Sequence, residues 1–156
     1  MFAVERKTVV ELLGALGVIG SLIFVGVQVQ QSAEATRAAT VLQLKENWVQ
    51  LNLTYLEAPE IAGAFDSVLH AGYENVDHRS RFLVTASYRA IMHNWSNAYY
   101  QYRIGTLDDE QWLPLLRDIE AESPNHYIWA IWEDWGHIFD EPFQLLMDSL
   151  KTANFD

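Results

Sequence analysis

The chain has no cysteine in its 156 residues, which excludes disulfides, thiolate nucleophiles and cysteine-ligated metals. Basic residues are scarce, 10 Lys and Arg against 21 Asp and Glu, for a formal charge of -11. A nucleic-acid interface needs a basic face to neutralise phosphates, so no nucleic-acid partner is expected. Disorder is excluded as well, because 50% of the residues are hydrophobic and 13% aromatic. The length suits one domain of ordinary size.

Polarity is absent from one stretch in particular. Leu12 to Val27 is an apolar run whose only polar side chain is Ser21. With Val9, Val10 and Val29 it reaches about 20 residues, or roughly 30 Å of helix, the thickness of a hydrocarbon core. The stretch therefore reads as a retained membrane anchor over residues 1–31, with the lipid bilayer as first partner. Two readings compete with it. A cleavable signal peptide would use Arg6 and Lys7 as its basic end and Ala33-Glu34-Ala35 as its exit; a buried core helix would need a partner on every side. Gly14, Gly17, Gly20 and Ser21 bring small side chains close together in the span, and Gly17 with Ser21 forms the small-xxx-small spacing that lets helices approach in lipid. Association with a second copy or with another membrane protein is expected through these positions. Orientation rests on few charges: Arg6 and Lys7 before the span outweigh the more distant Arg37 and Lys45, which places the N-terminus in the cytoplasm.

Residues 32–156 read as an acidic helical domain. Val41, Leu44, Trp48, Leu51 and Tyr55 step by three and four, and no Pro or Gly separates them from the span, so one long helix runs to about Glu57. A short helix fits Pro59 to His70 with Ile61, Phe65, Val68 and Leu69 facing inward, ended by Gly72. A longer one fits Asp77 to Ile104, with Val84, Tyr88, Ile91, Trp95, Ala98 and Tyr102 as its inner stripe and Gly105 closing it. Thr106-Leu107-Asp108-Asp109 has the form of a capping box for the next, in which Pro114 is expected to bend the helix or shift its start. Ser123-Pro124 reads as N-cap and first turn of a helix carrying Ile128, Ile131, Trp132 and Trp135. Asp140-Glu141-Pro142 opens the last, with Phe143, Leu146, Met147 and Leu150. No stretch alternates with the period of a strand. The fold class is all-α, a long N-terminal transmembrane helix continuing into a small bundle of five to six helices.

The segment from Glu11-Leu12-Leu13-Gly14-Ala15 through Val25-Gly26-Val27-Gln28-Val29-Gln30-Gln31 resembles an uncharacterised group of bacterial single-pass membrane-anchored helical proteins. So do Ala35-Thr36-Arg37-Ala38-Ala39-Thr40, Asn97-Ala98-Tyr99-Tyr100-Gln101-Tyr102 and Gly105-Thr106-Leu107-Asp108-Asp109-Glu110-Gln111-Trp112. The resemblance implies a bacterial cytoplasmic membrane and no particular activity. Members of that group carry more arginine after the span, which puts their domain in the cytoplasm; here Gln30 stands where Arg is expected, so the side of the domain is left open.

Catalytic patterns are missing. Glu-x-x-His and His-Glu-x-x-His do not occur, so neither a helical di-iron site nor a zincin site is expected, and no metal or cofactor is assigned. Gly-x-Ser-x-Gly and phosphate-binding glycine loops are absent too, and the chain is not read as an enzyme. One row is suggestive: Arg89, His93, Asn97 and Gln101 recur every four residues beside the aromatic stripe. With Tyr88, Trp95, Tyr99 and Trp132 as walls, Arg89, His93 and Asn97 form a candidate pocket for a small apolar or aromatic ligand; the plainer reading is the rim of an amphipathic helix. Trp129, Trp132 and Trp135 step by three and drift round their helix, so one of them is a candidate exposed anchor for a partner. Residues 107–156 hold twelve acidic and two basic side chains, a negative surface suited to solubility or to a basic partner. The sequence thus supports a self-associating membrane-anchored scaffold or interaction protein, with a sensory or small-molecule-binding module as the alternative.

Overall fold

The computed structural model describes residues 6–155 and is all-helical: α1 (Arg6–Glu57), α2 (Pro59–Ala71), α3 (His78–Arg103), α4 (Asp109–Glu122), α5 (His126–Trp135) and α6 (Glu141–Phe155). Two short 3-10 turns, Tyr73–Asn75 and Gly136–Ile138, link α2 to α3 and α5 to α6. The chain divides into two units between Ala39 and Thr40. In the first, α1 holds an apolar window of mean hydropathy 2.2 that is 0% buried, long and apolar enough to cross a membrane. In the second, the end of α1 and the five later helices enclose a core.

That core is built mainly on α3. Its start is fixed by Asp77, whose carboxylate accepts from the backbone N–H groups of Arg79 and Ser80 and from the Ser80 hydroxyl at 2.6 Å. These bonds also hold the Asp77 carboxyl below its ordinary pKa. Val84, Tyr88, Met92, Trp95 and Ala98 point inward, and Met92, outside the expected stripe, is fully buried. Trp112, Ile119, Ile128, Ile131, Phe143 and Met147 close on them from α4, α5 and α6, and Leu44 from α1. Gly72 (φ 84°) and Gly105 (φ 77°) end α2 and follow α3 in the left-handed region, where a side chain would clash with its own backbone.

Three local expectations need correction. The capping box belongs to Asp108, not Thr106: Asp108 accepts from the Gln111 N–H while Gln111 Oε1 accepts from the Asp108 N–H. A glutamine three residues on completes a reciprocal pair that Asp109 was too early to supply. Ser123 ends α4 rather than opening α5. Its N–H donates to the Ile119 carbonyl, its hydroxyl to Glu120, and its own carbonyl accepts the Trp129 indole N–H at 2.7 Å; Asn125 takes the N-cap position. Pro114 lies inside α4, where the sequence placed it. Leu69 is exposed, because Ala64 and Val68 occupy the contact with α3.

Candidate functional site

α3 carries most of the expected ligand site, and its neighbours decide what becomes of it. Tyr88 is buried. Its hydroxyl donates to Glu122 Oε2 at 2.8 Å, so the 3.1 Å contact with Tyr127 is a hydrogen bond from Tyr127 to Tyr88. The same Glu122 oxygen accepts from Asn125 Nδ2 at 3.0 Å. This small network ties α3 to the end of α4 and the start of α5. Burial, then the neighbouring Tyr127 and Glu122, push the Tyr88 phenol far above its ordinary range. Tyr127 and Tyr55 are raised as well, chiefly by burial.

Two clefts flank the network. Trp48, Tyr88, Ile91, Trp95, Asp118 and Glu122 line a space of 230 Å³, and Tyr55, Phe65, Tyr88, Ile91, Glu122 and Tyr127 line another of 280 Å³. Each falls below the roughly 300–1,000 Å³ of an ordinary ligand pocket. The Trp95 indole N–H is buried and has no hydrogen-bond partner, as is true of the Arg89 Nε.

The structure brings Tyr88 and Trp95 to one cleft and disperses the other candidates. Arg89 stacks on Trp135 with its guanidinium carbon 3.8 Å from a ring centroid. His93 is exposed and meets Phe139 at 4.8 Å. Asn97 is exposed. Tyr99 packs on Trp112 and Phe143, and Trp132 on Phe139 and Phe143 while its Nε1–H donates to Asp148. Arg89, His93, Asn97, Tyr99 and Trp132 therefore line neither of these clefts: the rings fill one another's space. No tryptophan of α5 is the exposed anchor, since Trp129 and Trp132 are buried and Trp135 is half-covered. Glu122, Tyr127 and Trp48 were missed, because they meet Tyr88 only through the tertiary fold, 34 and 39 residues away for the first two.

In the apolar window of α1, a Cβ added at Gly14, Gly17 or Gly20 would meet nothing within 4 Å, and the Ser21 hydroxyl donates to the Gly17 carbonyl at 2.8 Å. Among the described residues, no three His, Asp or Glu side chains gather into a metal-binding group. No family model, curated protein or solved structure matches the chain.

Proposed function

We propose that this is a single-pass protein of a bacterial cytoplasmic membrane whose helical domain is a self-associating scaffold or interaction module. One observation carries the reading: the apolar window of α1 is 0% buried, with Val10, Leu12, Leu13, Leu22 and Val29 each more than 60% exposed. Apolar surface left in water costs about 25 cal/mol per Å²; a bilayer removes that cost and is satisfied by a helix whose backbone bonds are internal. At ~100° per residue, Gly14, Gly17 and Ser21 fall within an arc of about 60°, with Gly20 about 60° outside it. That face is smooth, and the bond from Ser21 to Gly17 leaves no unsatisfied hydroxyl in lipid.

The test has two readouts. Full-length protein should stay with the membrane through alkaline carbonate washing, and Gly17→Leu should lower its oligomer fraction in detergent several-fold. Release by carbonate would overturn the anchor; an unchanged oligomer in Gly17→Leu would remove the span from self-association.

A second reading, binding of a small aromatic or apolar molecule, is favoured by one observation, the buried Trp95 N–H without an acceptor beside the 230 Å³ cleft. Calorimetric titration with phenol and indole decides it: saturable heat that disappears in Trp95→Phe supports the reading, and no heat above dilution ends it.

A further inference from the structure

The end of α1 has two apolar faces. Val41, Leu44, Trp48, Leu51 and Tyr55 form the first, which packs into the domain, Leu44 being 5% exposed. The second is uncovered: Leu42 is 58% exposed, Val49 58%, Leu53 42% and Leu56 80%. At ~100° per residue these four fall within an arc of about 60°, centred about 130° from the first face. An amphipathic helix of a folded domain carries polar residues there, and exposed apolar residues arranged in a stripe, unlike single ones, mark an interaction surface.

The spacing identifies the kind of partner. Ala39, Leu42, Glu46, Val49, Leu53 and Leu56 follow steps of three and four in strict alternation, the seam of a coiled coil. The stripe is narrow, flanked by Lys45 and Asn52 on one side and by Gln43, Gln50 and Glu57 on the other, too narrow for a helix lying on a lipid surface, which needs a broad apolar face. We infer that it docks on the same stripe of a second copy, in parallel and in register, a conclusion that rests on the membrane reading above.

Two observations favour a second copy over a different protein. Counting back in sevens from Leu42 along the sequence reaches Ala35, Gln28, Ser21 and Gly14, so two of the small residues of the span, Ser21 and Gly14, fall on the repeat of the stripe, while Gly17 and Gly20 do not. The stripe also complements itself in charge. Its one charged seam residue, Glu46, is adjoined by Lys45, and in a parallel two-fold pair the Lys45 of each copy sits beside the Glu46 of the other. A single polar seam position of this kind fixes register at a cost in stability. The seam covers only about two heptads, far less than a standard stable interface; two spans held side by side in one membrane supply the high effective concentration that a short seam needs.

The absence of native cysteine makes the test direct. Full-length chains carrying one cysteine, at Leu42→Cys, Val49→Cys or Leu56→Cys, are reconstituted in liposomes and oxidised. Gln43→Cys and Thr54→Cys, exposed on other sides of the helix, serve as controls. Crosslinking at the three seam positions at least fivefold above the controls supports the inference. Lys45→Glu should then reduce crosslinking of Val49→Cys, and adding Glu46→Lys should restore it. All five positions reacting equally overturns the seam, as does reaction at the controls alone. The span is read separately: dimer lost in Gly17→Leu with no seam pattern overturns the seam and leaves span association standing. A seam pattern that survives Gly17→Leu supports the seam and overturns association through the glycine face.

Discussion

The Arg89 guanidinium lies over the Trp135 ring, 3.8 Å from carbon to centroid, and this contact makes the first residue of the polar row a cover on α5. A cation over an indole is worth about 0.5–2 kcal/mol, more when desolvated, and here the Nε is buried without a hydrogen-bond partner. Arg89 contributes through stacking and through the cover that its aliphatic stem gives to the ring.

Arg89→Ala should therefore destabilise the domain by about 1–2 kcal/mol, read as a lower midpoint in thermal unfolding followed by circular dichroism. Trp135→Ala alone should cost more. The double variant should cost less than the sum by about 0.5–1 kcal/mol, the signature of a direct contact. Strict additivity would show that the two side chains act independently.

The Tyr88 network predicts an alkaline limit to stability. The phenols of Tyr88, Tyr127 and Tyr55 are held above their ordinary value of 10.0 in the folded chain. Above pH 10 the unfolded chain releases these protons and the folded chain keeps them, so stability is fully present below that pH and falls as pH rises further. Midpoints measured from pH 8 to 11.5 should be flat at first and then decline. Tyr88→Phe should start about 1–2 kcal/mol lower, because Glu122 loses a donor, and should decline less steeply by one proton. Parallel slopes for the two proteins would refute the assignment to Tyr88.

Gly136 is required for its size, with φ -56° in the ordinary helical region. A Cβ placed there would sit 2.8 Å and 2.9 Å from the Trp132 ring. That ring cannot yield easily: it is held by Phe139, Phe143 and the bond to Asp148. Gly136→Ala should cost about 1–3 kcal/mol, as overpacking does, while Gly63→Ala, where nothing lies within 4 Å, should be neutral or stabilising in its helix. Equal midpoints for the two variants would show that the Trp132 ring moves freely.

Much of the fold was legible because it is local. Periodicity placed every helix, with ends at Pro59, Gly72 and Gly105, and Val84, Tyr88, Trp95, Phe143 and Met147 read correctly as core. The errors came where several neighbouring residues could serve the same role. Thr106 and Asp108 are both good N-caps, and only the reach of Gln111 back to Asp108 separates them. Ser123 and Asn125 compete in the same way, and the indole of Trp129 settles the choice by taking the Ser123 carbonyl. The dispersal of the expected pocket residues has a different origin. A helical wheel places Arg89, His93 and Asn97 beside aromatics, yet it says nothing of Phe139 and Trp135, which arrive from elsewhere and fill the space.

The central claim is that two copies associate along α1 in a membrane, and counting copies in a bilayer tests it most directly. Full-length protein labelled once per chain, reconstituted at high lipid-to-protein ratio, should bleach mainly in two steps, with the two-step fraction unchanged when lipid is increased tenfold. Single-step bleaching at the level set by random co-occupancy, falling in proportion to dilution, would contradict the account.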